Sequence, residues 1–217
     1  MVTHPHNQIM ADKSITVVDY GMGNTWSVLS ALRYLGNTPI VSNDPNKVCR
    51  ASVLVLPGVG SFCKAMNTLR ISGLDQAILE AVKTRGGKIL GICLGMQMLG
   101  LHGSEDGDTA GLGLIPNRVD RFSFQELGKN KIPHIGFNSV RNDQREGMFR
   151  NLPETADFYF VHSYRMLHEG LKGKTATCTY GIDFLAAFEV DNIYGTQFHP
   201  EKSQTNGLIL LKNFLEQ

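Results

Sequence analysis

The chain has 217 residues, of which 42% are hydrophobic and 19% are charged, a composition typical of a globular protein with an ample buried core. Its 21 lysines and arginines nearly balance 20 aspartates and glutamates, so it lacks the strong basic field that non-specific nucleic-acid binding requires. The four cysteines form no C-x-x-C pair and the apolar runs are short, which argues against a metal site and against a membrane-spanning helix.

The predicted elements begin after a polar segment, residues 1–13. This segment lacks the apolar middle and the small-residue cleavage site of a secretory signal, so we expect a cytoplasmic protein. We predict that residues 1–13 are a disordered extension and that residues 14–217 form one folded domain.

Up to about residue 101 the sequence alternates short β-branched runs with amphipathic stretches, a pattern typical of parallel strands joined by helices. The predicted strands cover residues 14–19, 39–42, 52–56 and 88–92, and the predicted helices cover 25–35, about 74–82, and 94–101. Gly36 would end the first helix, and Pro57 would end the third strand.

From Leu112 onward most predicted elements are strands, at residues 114–122, 134–140, 158–161, 175–180, 185–190 and 193–198. A closing helix is predicted from about Thr205 to Leu215, with Leu208, Leu211 and Leu215 on its apolar face. Together the elements predict a three-layer α/β/α fold around a doubly wound mixed sheet.

The segment Gly91-Ile92-Cys93-Leu94-Gly95 places a cysteine between two glycines where a predicted strand meets a predicted helix. This is the pattern of a nucleophile elbow, whose turn is so sharp that side chains at the flanking positions would collide with the neighbouring strand. The helix N-terminus favours the thiolate form of such a cysteine. A buried structural cysteine is the alternative interpretation.

A histidine and a glutamate near the C-terminus complete a candidate triad. Pro200 keeps His199 out of helical geometry, so His199 and Glu201 lie on the same side of an extended segment. A thiol nucleophile needs an imidazole to carry its proton, and the imidazole needs an anion to orient it. We therefore predict a Cys93–His199–Glu201 triad rather than an unrelated surface pair.

A glycine-rich loop, Pro57-Gly58-Val59-Gly60-Ser61, follows the third predicted strand. Its backbone amides could donate to an oxyanion, as could the amide of Leu94. An ordinary strand-to-helix turn would explain the glycines equally well.

Seven segments together carry a family resemblance. Three of them resemble the class I, or triad, glutamine amidotransferases: GICLGMQ at 91–97, PGVGSF at 57–62 and QFHPEKS at 197–203. Four more resemble the glutaminase subunits of imidazole glycerol phosphate synthase: DYGMGN at 19–24, GLGLIP at 111–116, PHIGFN at 133–138 and VHSY at 161–164.

The resemblance implies a chemistry for the triad. Cys93 would attack the side-chain amide of glutamine, form a glutamyl thioester and release ammonia, and water would then release glutamate. His199 would be the acid and base, and Glu201 would orient it. No cofactor is implied.

The resemblance also implies a binding site for glutamine and its oxyanion. The residues expected there are Gly58, Val59, Gly60, Leu94, Gln97, Glu105, His162, Ser163 and Tyr164. Gln97 and Glu105 would hold the amino-acid group, because the ammonium of a zwitterionic ligand needs an anionic partner. A solvated loop charge is the alternative interpretation of Glu105.

The resemblance further implies a partner, a (β/α)8-barrel cyclase subunit called HisF, that forms a heterodimer with the glutaminase and uses its ammonia. Asn24, Phe137, Asn138 and Lys202 would face this partner. Phe137 and Asn117 depart from the usual Trp and Gly of the family. These departures leave open a paralogous subunit that supplies ammonia for amidation of a bacterial surface sugar.

Three other functions are less well supported. A dinucleotide-binding module would need a third glycine at Trp26, after Gly21 and Gly23. An α/β-hydrolase would have its acid before its histidine along the chain. A silent scaffold would have a broken triad.

Overall fold

The computed structural model describes residues 14–217, so our prediction for residues 1–13 lies outside the described part of the chain. Within the described range, no helix is long and apolar enough to span a membrane. That residues 14–217 form one domain remains our proposal.

The strands, in chain order, are Ile15–Val18 (β1), Ile40–Ser42 (β2), Val53–Gly58 (β3), Lys88–Cys93 (β4), His102–Gly103 (β5), Thr109–Ala110 (β6), Arg118–Arg121 (β7), His134–Arg141 (β8), Thr155–His162 (β9), Tyr164–Met166 (β10), Lys174–Tyr180 (β11), Ile182–Val190 (β12) and Ile193–Thr196 (β13). The α-helices are Thr25–Tyr34 (α1), Pro45–Val48 (α2), Phe62–Ser72 (α3), Leu74–Leu79 (α4), Leu94–Met98 (α5), Phe124–Leu127 (α6) and Gln204–Glu216 (α7). A π-helical turn, Glu80–Thr84, extends α4, and 3₁₀ turns lie at Gly147–Phe149 and Pro200–Lys202.

Most strands of residues 14–217 form one mixed sheet in the order β2-β1-β3-β4-β13-β12-β11-β8-β9. The strands from β2 to β13 are mutually parallel, and those from β13 to β9 are antiparallel. A small second sheet has the order β10-β7-β5-β6. The central β4 therefore ends between β3 and β13, which brings the three segments of the predicted site to one edge.

Two apolar clusters cover the two faces of the sheet. One cluster contains residues of α1 and α7, such as Leu32 and Phe214, and the other contains residues of α3, α4 and α5, such as Phe62 and Ile78. Strands β1 and β3 are buried along their whole length because helices cover both faces. The predicted three-layer α/β/α fold is confirmed.

Several predicted element boundaries were wrong. Strand β3 continues through Pro57 to Gly58, which the missing N–H permits because pairing with β1 has ended at Val55. Helix α5 stops at Met98 instead of Leu101, because the carbonyls of Met98 and Leu99 accept hydrogen bonds from the backbone of residues 112–115. Because these bonds hold residues 114 and 115 against the end of α5, the strand predicted over 114–122 is shorter and covers only β7, Arg118–Arg121.

The predicted apolar face of the closing helix was also displaced. Leu211 is fully buried as expected, but Leu208 and Leu215 are only half-buried, and Leu210 and Phe214 take the core positions. The cause is close packing at Gly207, where an added Cβ would lie 1.8 Å from the carbonyl oxygen of Pro200. This contact turns the face that contains Gly207 toward the sheet.

Candidate active site

Cys93 is the last residue of β4 and stands immediately before α5, with φ 55° and ψ −110°. Non-glycine residues avoid this conformation, and it is typical of strained functional positions. Close backbone packing surrounds it: a Cβ at Gly95 would lie 1.8 Å from Leu56 O, and one at Gly91 would lie 2.6 Å from Met96 N. The two glycines are thus required by the elbow itself.

His199 and Glu201 form a buried pair at the end of β13. His199 Nδ1 lies 2.8 Å from Glu201 Oε1, and the two side chains are 2% and 1% exposed. The backbone N–H of His199 donates to Tyr159 O at 2.9 Å, which ties this turn to β9. Because Nδ1 is engaged by Glu201, Nε2 is the nitrogen left for the thiol.

The electrostatics of His199 favour its charged form. Burial alone would lower the pKa of His199, but the neighbouring Cys93 and the hydrogen-bonded carboxylate of Glu201 outweigh burial and raise the pKa to about 10. At neutral pH the imidazole is therefore protonated. A proton is in place for the leaving group before the reaction begins.

A cavity of about 410 Å³ opens above Cys93. Its walls are Val59, Gly60, Ser61, Cys93, Leu94, Gln97, Glu105, Pro133, Val161, His162, Ser163 and Tyr164. The structure thus brings together every residue predicted for glutamine binding except Gly58. Gly58 is buried in β3, where it pairs with Cys93 in the register of the sheet.

Glu105 lies in the loop between β5 and β6 and reaches the N-terminus of α3. Its Oε2 accepts a hydrogen bond from the backbone N–H of Phe62 at 2.9 Å. Burial raises the pKa of Glu105, and the hydrogen bond from Phe62 acts in the opposite direction. The carboxyl is therefore an anchored acidic group in the cavity wall.

The glycine-rich loop holds one amide away from the cavity. The N–H of Val59 donates to the carbonyl of Met22 at 3.2 Å, and Gly60 has φ +102°, a conformation that favours glycine. In this orientation the Val59 amide is occupied by the turn after β1.

Of the residues predicted to face a partner, Phe137 and Lys202 both contact one aromatic ring, that of Tyr159. The ring of Phe137 is 5.6 Å from that of Tyr159, and Lys202 Nζ is 5.8 Å from the centre of the same ring. Asn24 instead caps α1, with Oδ1 accepting from Ser27 N at 3.3 Å. Asn138 is half-buried on β8.

Sequence reasoning missed Gln197 as a site residue. Gln197 is fully buried and lies two residues before His199, just after β13. Its Nε2 donates to Cys93 Sγ at 3.7 Å. The signal was present, because residues i and i+2 of an extended chain share a side, the same argument that paired His199 with Glu201.

The model of the family Glutamine amidotransferase class-I matches residues 16–217. The imidazole glycerol phosphate synthase subunit HisH 1 of Parasynechococcus marenigrum is 43% identical to this chain, over 93% of the chain and 96% of the relative. The HisH subunit of Moorella thermoacetica is 44% identical over 94% and 95%.

Solved structures share the fold at lower identity. The structure of PurLQS from Thermotoga maritima matches with a TM-score of 0.69 and 18% identity, over 94% of this chain and 98% of that one. A glutamine amidotransferase from Thermotoga maritima matches with a TM-score of 0.59 and 16% identity, over 94% of this chain and 81% of that one.

Proposed function

The chain belongs to the class I glutamine amidotransferases, and from this premise we propose that it is the glutaminase subunit of an imidazole glycerol phosphate synthase. The observation that carries the proposal is the buried Cys93–His199–Glu201 triad at the floor of a cavity. Curated relatives named HisH, 41–44% identical across more than nine-tenths of the chain, support the specific assignment. Family membership argues against the α/β-hydrolase and nucleotide-binding alternatives.

In the proposed reaction, Cys93 Sγ attacks the side-chain amide carbon of glutamine. His199 gives a proton to the amide nitrogen, the C–N bond breaks, and ammonia leaves behind a glutamyl thioester. A water molecule then attacks the thioester and gives a proton to His199. The C–S bond breaks, glutamate is released, and Glu201 keeps the imidazole oriented throughout.

Substrate binding is proposed for the remaining walls of the cavity. The carboxyl of Glu105 would pair with the ammonium of glutamine, and backbone donors of the loop would bind its carboxylate. The N–H of Leu94 would donate to the oxyanion at the start of α5. We propose that the Gly58–Val59 peptide supplies the second donor once it turns away from Met22 O.

The partner is proposed to be a (β/α)8-barrel cyclase, HisF, that consumes the ammonia within a heterodimer. Support comes from β8, where Ile135 and Phe137 are 59% and 52% exposed on one side of the strand beside the site. Asn24, Asn138 and Lys202 complete the proposed contact surface. The cytoplasmic location stays a prediction.

The proposal is tested by mixing the purified chain with a HisF cyclase and measuring both association and glutamine-dependent synthesis of imidazole glycerol phosphate. We expect a one-to-one complex and rescue of a histidine-requiring strain that lacks the glutaminase subunit. Failure to bind this cyclase, with binding to an amidotransferase partner of surface-sugar synthesis, would favour the paralogous function.

A further inference from the structure

We propose that Gln197 is a positioning residue for the Cys93 thiolate, and that a network of buried hydrogen bonds reaching back to β8 holds it in place. The network has two halves, which meet at the carbonyl of Tyr164, where His162 and Gln97 both donate. The inference deepens the proposed glutaminase function and depends on it. In order, the groups are Asn138, His134, His162, the carbonyl of Tyr164, Gln97, Gln197 and Cys93.

The first half of the network joins two buried imidazoles. His134 Nε2 lies 3.3 Å from Asn138 Nδ2, His134 Nδ1 lies 3.1 Å from His162 Nε2, and His162 Nδ1 lies 2.8 Å from Tyr164 O. The rings of Tyr180 and Phe160 stack on His134, with centroids 3.9 and 4.7 Å away. Aromatic packing thus holds the imidazole in line.

The groups at both ends of this half require the same donor-to-acceptor direction, from Asn138 toward Tyr164. Asn138 Oδ1 accepts from the backbone N–H of Ser139 at 2.8 Å, so its amide nitrogen faces His134 and must donate to Nε2. At the other end the carbonyl of Tyr164 can only accept, so His162 must donate from Nδ1. Each imidazole therefore carries its proton on Nδ1.

The direction requires neutral rings, and their environment keeps them neutral. Burial lowers the pKa of His134 to about 4 and that of His162 to about 3. Hydrogen bonding to Tyr164 O opposes the shift of His162, whereas the positive charges of the nearby His199 and Arg165 add to it. At neutral pH each ring has one proton to donate.

The second half of the network runs through two buried amides. Gln97 Nε2 donates to Tyr164 O at 2.9 Å and to Gln197 Oε1 at 3.0 Å. Because Gln197 uses its oxygen to accept from Gln97, its nitrogen is the atom that faces Cys93 Sγ. The group presented to the sulfur is therefore an N–H donor.

An N–H donor beside the sulfur stabilises a thiolate more than a thiol. The titratable groups around Cys93 are His199, with Glu201 behind it, and the buried hydroxyl of Tyr20, whose pKa is raised by burial and by Cys93. Glu105, His162 and Tyr164 lie on the wall of the same cavity. Gln197 adds a neutral donor to this set, held in one orientation by Gln97. It acts through the sulfur, without touching the substrate.

The test compares Gln197→Met, which removes the donor, with Gln197→Glu, which keeps an acceptor for Gln97 but removes the donor and adds a charge. The rate at which iodoacetamide alkylates Cys93 is followed against pH in the full chain, with Cys93 resolved from Cys49 and Cys63 by peptide mass spectrometry. We expect the midpoint to rise by about one pH unit for Gln197→Met, a roughly tenfold loss of thiolate, and further for Gln197→Glu.

Thr196→Val is the matched control, because Thr196 is the adjacent buried residue and its hydroxyl has no hydrogen-bond partner within the described residues. Its midpoint should equal that of the wild type. An unchanged midpoint in Gln197→Met would overturn the proposal.

A second measurement uses the wild-type chain and so does not depend on the folding of a variant. Nuclear magnetic resonance of ¹⁵N-labelled histidine should show two neutral rings protonated at Nδ1, with no titration near neutral pH, and His134→Phe identifies one of them. An Nε2-protonated ring at either position would overturn the arrangement proposed for the first half of the network. Neither measurement needs the cyclase, so failure of the proposed function would be seen separately.

Discussion

The side chain with the strictest requirements is the nucleophile, whose backbone conformation costs about 1–3 kcal/mol and persists only because its surroundings enforce it. The enforcing contacts come from Leu56 and Met96, which pack against the two glycines of the elbow. This strain fixes Sγ between the cavity and His199. Strain of this kind supports our proposal that the elbow serves chemistry at Cys93 rather than packing.

Replacing the nucleophile should separate the source of ammonia from its use. We expect Cys93→Ala to abolish glutamine-dependent synthesis in the complex with the cyclase, whereas synthesis from ammonium salt continues, because only hydrolysis needs the thiol. Both rates are measured on the same preparation. Equal loss of both activities would show that Cys93 has a structural role only.

Cys178→Ala is the control for that experiment. Burial raises the pKa of the Cys178 thiol to about 12, so this cysteine is inert at neutral pH. We expect glutamine hydrolysis to survive in Cys178→Ala, with a stability loss of about 1–3 kcal/mol from the lost packing.

The buried histidine pair should make the fold sensitive to acid. Folding lowers the pKa of His134 to about 4 from its ordinary value near 6.5, so below that ordinary value the unfolded chain binds a proton that the folded chain does not. The free energy of unfolding therefore falls as pH drops from about 6.5 to 4, by up to about 1.4 kcal/mol per pH unit for one such group.

His134→Phe removes this group and keeps an aromatic ring between Phe160 and Tyr180. Urea unfolding of both proteins at a series of acidic pH values should show a shallower pH dependence in the variant. Parallel curves would mean that His134 is protonated equally in the folded and unfolded chains.

In the loop between β3 and α3, the backbone amide of Val59 can serve either a structural hydrogen bond or the proposed oxyanion. In the described orientation the Val59 N–H donates to Met22 O. A glycine on each side allows the peptide to turn with little steric cost. The loop can therefore exchange a structural hydrogen bond for an oxyanion contact.

Val59→Pro removes that amide hydrogen and tests the exchange. We expect glutaminase activity in the activated complex to fall by ~10²–10³, the usual effect of losing one oxyanion donor. Ammonium-dependent synthesis should not change, and Val59→Ala, which keeps the amide, should retain activity. Full activity in Val59→Pro would assign the donor to another group.

The elements differ in how far they can be predicted from the sequence. The parallel strands β1, β3 and β4 were predictable because their apolar runs are buried on both faces and leave a clear pattern. The two-residue strands β5 and β6 were not predictable, because they are too short to leave a pattern and are defined by their pairing with each other and by the pairing of β5 with Arg118 and Val119 of β7. For Gln197, the i, i+2 relation to His199 could be read from the sequence, but the hydrogen bond from Gln97 could not, because no local pattern connects two side chains so far apart along the chain.

For the whole molecule, the exposed apolar side chains of β8 lie next to the catalytic cavity. Phe137 contacts Tyr159, and the carbonyl of Tyr159 in turn accepts from the backbone of His199. A partner that docks on Phe137 would therefore be linked to His199, the proposed base, through a single residue, Tyr159. Under the proposed function, docking and catalysis would therefore share this wall.

We expect Phe137→Asp to weaken binding of the cyclase by about 2 kcal/mol, or roughly 30-fold in Kd, because it places a charge in an apolar contact. Phe137→Trp should bind normally, since a larger ring keeps the apolar surface. Ile71→Asp is the control, because Ile71 is 89% exposed near the end of α3, away from the elbow. If Ile71→Asp weakened binding of the cyclase as much as Phe137→Asp, the result would contradict an interface at Phe137.

The same surface should control turnover. An isolated glutaminase with its Val59 amide bonded to Met22 lacks one oxyanion donor, so we expect the free chain to hydrolyse glutamine ~10²–10³ times more slowly than the complex with cyclase and an acceptor analogue. Turnover is measured for the chain alone, with cyclase, and with cyclase plus analogue. Phe137→Asp should require more cyclase to reach the same rate, whereas Val59→Pro should remain slow at saturation. High activity of the free wild-type chain would refute the switch and indicate a glutaminase that works without a partner.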